Sequence, residues 1–136
     1  MKRKILTIDD DPDILDVLML TLQDEFDIVQ AHDGQEGLKK AQEILPDLII
    51  TDVMMPKMDG FHVCAMLKKD KRFQNIPIIL LTGRLAEDDK ATGKEVKADV
   101  YLNKPFNPPE LLTAVKSLIN KPGFCNTKSA PKGSAD

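Results

Sequence analysis

Four short apolar runs in this chain each stop at a polar residue suited to binding ions. Ile5-Leu6-Thr7-Ile8 leads into Asp9-Asp10, Leu48-Ile49-Ile50-Thr51 into Asp52, Ile78-Ile79-Leu80-Leu81 into Thr82, and Val100-Tyr101-Leu102-Asn103 into Lys104. Runs this short and this apolar read as parallel strands covered on both faces. In a parallel α/β sheet, ligands bind outside the carboxyl ends of the strands. The pattern therefore gathers three carboxylates, a hydroxyl and an ammonium at one rim. That donor set can hold a divalent cation next to a phosphoryl group.

Strands and helices alternate along the chain. Strands are expected over Ile5–Ile8, Asp27–Val29, Leu48–Thr51, Ile76–Leu81 and Ala98–Leu102, separated by segments long enough for crossover helices. Asp11 is a good N-cap with Pro12 in the first helical position, and Ile14, Leu15, Leu18 and Leu22 follow at helical spacing. Asp33 followed by Gly34-Gln35-Glu36 is a capping-box pattern. Leu38, Ala41, Ile44 and Leu45 form that helix's inner stripe, and Pro46 stops it. Asp59-Gly60 opens a third helix with Phe61, Cys64, Ala65 and Leu67. Between Arg84 and Lys97 a fourth helix is expected, thinly apolar and weakened by Gly93. Asn107-Pro108-Pro109-Glu110 opens the last one, with Leu111, Leu112, Val115, Leu118 and Ile119 on its buried face.

Right-handed crossovers limit the possible sheets. The fold class is α/β: a single doubly wound (βα)5 flavodoxin-like domain with a parallel five-stranded sheet in the order 2-1-3-4-5. That order puts Asp9, Asp10 and Asp52 across one strand gap, Thr82 one strand further and Lys104 one beyond. The domain is expected over 1–120, and 121–136, rich in Lys, Ser, Gly and Pro, reads as a disordered tail or linker.

Composition narrows the function. A net charge of −3 over 136 residues gives no nucleic-acid surface. Cys64 and Cys125 have no metal spacing and form no disulfide framework, which fits a reduced, cytoplasmic setting. No apolar stretch is long enough to span a membrane. His32 and His62 are isolated and read as surface or loop residues.

Five separated motifs carry a family resemblance: Ile8-Asp9-Asp10-Asp11-Pro12, Thr51-Asp52-Val53-Met54-Met55-Pro56, Asp59-Gly60, Leu81-Thr82-Gly83 and Tyr101-Leu102-Asn103-Lys104-Pro105-Phe106. Together, in this order, they resemble the receiver domain of bacterial response regulators, over about residues 2–120. The resemblance implies that Asp52 accepts a phosphoryl group from a histidine kinase or a phosphotransfer protein. It implies Mg²⁺ (or Mn²⁺) held by Asp10, Asp52 and the backbone carbonyl of Met54, with Asp9 acting mainly through water. Lys104 and the Thr82 hydroxyl would take phosphoryl oxygens, and the Lys104-Pro105 bond would be cis. Thr82 and Tyr101 would form the switch, the aromatic ring moving inward as the threonine moves. A downstream protein target would then read the face made by the fourth helix, fifth strand and last helix. The domain itself would contact no nucleic acid and no membrane, and would be a monomer or a phosphorylation-dependent dimer. It would not be an enzyme beyond catalysing its own aspartyl phosphorylation and dephosphorylation.

Several other readings compete. An aspartate-nucleophile phosphatase needs a second aspartate two residues after the nucleophile, where this chain has Met54. A flavin binder of the same fold needs a phosphate-cradling first loop, where this chain has three acids. A phosphate-independent interaction module tends to lose an acid or the lysine, and all are present here. Output is through direct contact by a stand-alone receiver, the favoured reading, or through a further region of a longer, for example DNA-binding, regulator. Lys97 stands where many receivers have glycine, so a different helix cap is expected there. Met54 and Arg84, two positions beyond Asp52 and Thr82, border the path of attacking water and are expected to tune phosphoryl lifetime.

Overall fold

The computed structural model describes residues 3–55, 58, 60–82, 99–104 and 106–119. Along them run β1 (Arg3–Ile8), α1 (Pro12–Leu22), β2 (Phe26–Ala31), α2 (Gly34–Ile44), β3 (Leu48–Asp52), α3 (Gly60–Lys68), β4 (Ile78–Thr82), β5 (Val100–Asn103) and α4 (Pro108–Ile119). The helix expected over 84–97, Arg84, the Lys97 cap, the Pro105 bond and the tail 121–136 lie outside the described residues.

The sheet is parallel throughout, in the expected order β2-β1-β3-β4-β5. Alternate strand residues feed two apolar layers, as the two-residue strand period requires. Leu6, Ile8, Ile49, Ile78 and Leu80 pack with Ala41 of α2 and Phe61, Val63, Cys64 and Leu67 of α3. Ile5, Leu48, Ile50, Ile79 and Leu81 pack with Leu18 and Leu22 of α1 and Leu111, Val115 and Leu118 of α4. β4 starts two residues later than expected. Pro77 has no N–H to give a ladder, and the Ile76 N–H turns back to the Phe73 carbonyl at 2.9 Å.

The caps of α1 and α2 form with one change. Asp11 Oδ1 accepts from the Asp13 N–H at 2.9 Å, and Asp33 Oδ1 from the Glu36 N–H at 2.8 Å. The return arm of the capping box reaches one residue further out: Glu36 Oε1 accepts from the His32 N–H at 2.6 Å, not from Asp33. α2 also presents a different face. Its buried residues are Gly34, Gly37 and Ala41, with Leu38 and Ile44 only partly covered. Leu45, expected inside, is 49% exposed. It ends the helix in the left-handed region at φ 48°, its N–H on the Ala41 carbonyl. Small residues bring α2 close to β1, and a Cβ at Gly37 would collide with Ile8 Cδ1.

Two aspartates set the strand starts at the opposite end from the rim. The Asp47 N–H donates to the Lys4 carbonyl at 2.8 Å, and Asp47 Oδ2 accepts from the Lys4 N–H at 2.8 Å. Asp99 repeats this on Ile78, at 3.0 Å and 2.8 Å. Each acid thus satisfies a neighbouring strand's otherwise unpaired amide and fixes the register of β3 on β1 and of β5 on β4.

The Glu36 carboxylate is held below the usual range by the His32 N–H; partial burial opposes this, and Lys40 at 3.2 Å adds to it. A depressed folded pKa contributes stability that is complete above the unfolded value of 4.5 and is lost as pH falls through the folded value. Glu36→Gln should therefore cost about 0.5–1 kcal/mol at neutral pH. Urea denaturation across pH should show that deficit level down to about pH 5 and shrinking below it. A deficit that grows on acidification would contradict this account of the cap.

Candidate functional site

The site is assembled by backbone bonds that continue the ladder past the strand ends. The Asp9 N–H donates to the Ala31 carbonyl at 3.1 Å, Val53 N–H to the Leu81 carbonyl at 2.9 Å, and Lys104 N–H to the Thr82 carbonyl at 2.8 Å. These fix Asp9 at the tip of β1, Asp52 at the end of β3, and Lys104 beside Thr82. Asp9 Oδ1 accepts from the Asp11 N–H at 2.9 Å, which turns the chain into α1. The three consecutive acids are thereby divided: Asp9 is buried, Asp10 is exposed, and Asp11 caps the helix.

Lys104 bridges the two buried acids. Its Nζ lies 3.1 Å from Asp9 Oδ2 and 3.0 Å from Asp52 Oδ1. The Asp9 side chain is fully buried and that of Asp52 is 4% exposed. Carboxylate oxygens of Asp9, Asp10 and Asp52 lie within 4.8 Å of one another. Among the described residues three carboxylates face one ammonium, an excess of negative charge when all are ionised.

That imbalance shows in the proton affinities. Burial pushes the Asp9 carboxyl up to about 6; the Asp11 N–H opposes this, the Asp52 charge reinforces it, and Lys104 moderates it. Asp52 is raised as well, by burial against the pull of Lys104 and the Met54 N–H, with Asp10 adding repulsion. Burial works against the Lys104 ammonium, yet Asp52 and Asp9 together hold its pKa above the ordinary value. Among the described residues, Asp9 Oδ2 and Asp52 Oδ1 have no hydrogen bond beyond these ion pairs. Buried carboxylate oxygens that repel one another are the donors a hard cation takes, and magnesium is held by one or two carboxylates with water. The residues fit such an ion.

The other expected site residues are placed as follows. Thr82 is buried at the tip of β4, paired in register with Asn103. Tyr101 is half-buried on β5 opposite Leu80, against the apolar layer of α3, its hydroxyl shielded from solvent. Met54 is 61% exposed. Its described contact with the acids is its N–H on the Asp52 carboxylate, whereas the expectation named its carbonyl. Cys64 is buried, as expected of a core residue, and burial lifts its thiol to about 11. His32 is exposed and meets Glu36 at 3.2 Å. Sequence reasoning missed the part played by Gly60 in shaping the site. A Cβ there would collide with the Asp52 carbonyl oxygen, so α3 starts against the end of β3. The Asp59-Gly60 pair signalled a helix start but not this close approach.

No described helix is long and apolar enough to cross a membrane. Residues 5–116 match the family model of the response regulator receiver domain. The chain is 43% identical over 122 residues to the alkaline phosphatase synthesis transcriptional regulatory protein PhoP of Bacillus subtilis, covering 89% of this chain and 50% of that protein. It is 43% identical over 119 residues to the DNA-binding dual master transcriptional regulator RpaA of Synechocystis, covering 87% and 49%. The chain thus spans about half the length of these curated relatives. Among solved structures, the Vibrio cholerae chemotaxis protein CheY4 superposes with a TM-score of 0.83 at 37% identity, covering 87% of this chain and 99% of that one. On the sheet order, the acid-lysine rim and these matches, the chain belongs to the receiver domain family of two-component response regulators.

Proposed function

We propose that this receiver, residues 1–120, is a phosphorylation switch in which Asp52 accepts a phosphoryl group from a histidine kinase or phosphotransfer protein. Residues 121–136 then serve as tail or linker. The observation that carries this reading is the Lys104 ammonium lying between Asp52 and Asp9 at the end of the sheet. An Asp52 oxygen attacks phosphorus, the donor's N–P bond breaks, and an acyl phosphate O–P bond forms. Two anions must meet; unit charges about 4 Å apart repel by roughly 4 kcal/mol at a surface-like dielectric. Asp10, Asp52, the Met54 carbonyl and, through water, Asp9 would hold Mg²⁺, and the ion would supply positive charge to offset this repulsion. Lys104 already faces Asp52 and needs only to pass from carboxylate to phosphoryl oxygen. The Thr82 hydroxyl takes another oxygen. Catalysis is positioning and electrostatics, with no side chain needed as a strong base. Water attack on the same phosphorus returns Asp52 to the carboxylate, which makes the signal transient.

The added phosphoryl group carries nearly two negative charges. It draws Thr82 toward it, and Tyr101 on the adjacent strand follows into the space released. The changed face includes β5, α4 and the segment 84–97, and a protein target reads it. The receiver works in the cytoplasm, as a monomer or a phosphorylation-dependent dimer. A second reading follows from the two curated relatives, both transcriptional regulators twice the matched length: here the receiver would govern a DNA-binding region of a longer protein.

Asp52→Asn should reduce labelling by a small phosphodonor with Mg²⁺ to background, measured as the mass increment on the intact protein; undiminished labelling at an aspartate would end the assignment. Lys104→Ala should fold and still take up the label. Its amide NMR spectrum, however, should lack the phosphorylation shifts at Tyr101 and along α4. A full wild-type set of shifts in that variant would remove Lys104 from the switch.

A further inference from the structure

Thr51 is a fully buried hydroxyl in the last turn of the ladder before Asp52. It stands in register between Ile8 of β1 and Leu80 of β4, and both belong to the apolar layer under α2 and α3. The two-residue strand period puts Thr51 on the same face as Ile49 and Val53, which line that layer too. A hydroxyl there needs an acceptor, since a buried polar group without one is costly. Thr51 Oγ1 donates to the backbone carbonyl of Asp52 at 3.2 Å.

That carbonyl begins a short series of direct contacts that ends on the Asp52 carboxylate. It belongs to the Asp52–Val53 peptide, whose other end is fixed by the Val53 N–H on the Leu81 carbonyl at 2.9 Å. The next peptide, Val53–Met54, takes the Gly60 N–H on its carbonyl at 3.0 Å and gives its own N–H to the Asp52 carboxylate. Gly60 also closes on the oxygen that Thr51 holds, because a Cβ there would collide with it. The Thr51 hydroxyl is the group in this series that a substitution removes without touching backbone or acids. We propose that Thr51 is a positioning residue for the phosphoacceptor: its hydroxyl holds the Asp52–Val53 peptide at the angle from which the Met54 N–H meets the Asp52 carboxylate. This rests on reading Asp52 as the phosphoacceptor beside a divalent cation. Valine at position 51 keeps the branched shape but leaves the carbonyl without this donor. The lever is geometric, since a misplacement of about 1 Å in such a site can cost about a hundred-fold.

The test is a titration of the full chain with Mn²⁺, following free ion by electron paramagnetic resonance, in parallel with thermal unfolding. Wild type, Thr51→Val, Thr51→Ser and Ile49→Val are compared. The serine keeps the hydroxyl, and Ile49→Val weakens the same strand in the same apolar layer without touching Asp52. Thr51→Val should bind Mn²⁺ about ten-fold more weakly than wild type, the scale of one lost hydrogen bond, while Thr51→Ser stays within about two-fold of wild type. Ile49→Val should bind like wild type despite a lower melting temperature. Equal affinity in Thr51→Val and wild type, equal loss in Thr51→Val and Ile49→Val, or no recovery in Thr51→Ser would each overturn the proposal. Should Thr51→Val fail to fold, Thr51→Ala removes the same hydroxyl: weakened binding that Thr51→Ser restores supports the role, and unchanged binding overturns it. If wild type itself binds no Mn²⁺, the reading of the acid cluster fails first, and the role of Thr51 falls with it.

Discussion

Lys104 stands between two carboxylates that water hardly reaches, and the rest of the rim is arranged around that contact. One ammonium cannot balance three acids. Asp9 responds by holding its proton to about pH 6, and Asp52 is raised in the same direction. A pocket in this state has a standing affinity for added positive charge. In the proposed switch, its ammonium changes partners when a phosphoryl group arrives. The two properties explain each other: the charge deficit that invites a divalent ion is what keeps Lys104 drawn inward. Lys104 reaches the acids because its N–H extends the ladder from Thr82, so the two residues that would hold phosphoryl oxygens are braced by one hydrogen bond of 2.8 Å.

The remainder of the fold holds this rim still. Asp47 and Asp99 lock strand register at the far end, and a one-residue slip there would turn every rim side chain to the wrong face. Gly37 lets α2 lie on Ile8 just before Asp9, Gly60 lets α3 begin against Asp52, and Gly34 admits Met58. Close approach of helices to the rim, achieved by omitting side chains, shapes the site as much as the charged residues do. The partly covered Tyr101 sits on the short edge strand β5, paired in register with Leu80, two residues before Thr82.

Much of this was legible in the chain itself. The apolar runs ended at polar residues because parallel strands are buried on both faces while their carboxyl ends are open. Strand order, the Asp11 cap and the meeting of Asp9, Asp52 and Lys104 followed from that pattern together with the family's motifs. What the sequence concealed had a consistent cause. Apolar periodicity counts side chains, so it put Leu45 inside α2 and overlooked Gly34 and Gly37, which make the helix's tightest contacts by having none. It began β4 at Ile76, although Pro77 cannot donate to the ladder. With Asp11 assigned to the cap, Asp9 and Asp10 gave no sign of which would be buried; the turn into α1, with the Asp11 N–H on Asp9, separates them.

The central claim is electrostatic: buried carboxylates at this rim are short of positive charge until a divalent cation supplies it. Carboxyl ¹³C NMR titration of Asp9 in metal-free protein, repeated with saturating Mg²⁺, addresses that claim most directly. The account predicts a metal-free midpoint near 6, well above the ordinary 3.8, and a marked fall when Mg²⁺ is present. A metal-free midpoint at the ordinary value, unmoved by Mg²⁺, would contradict it.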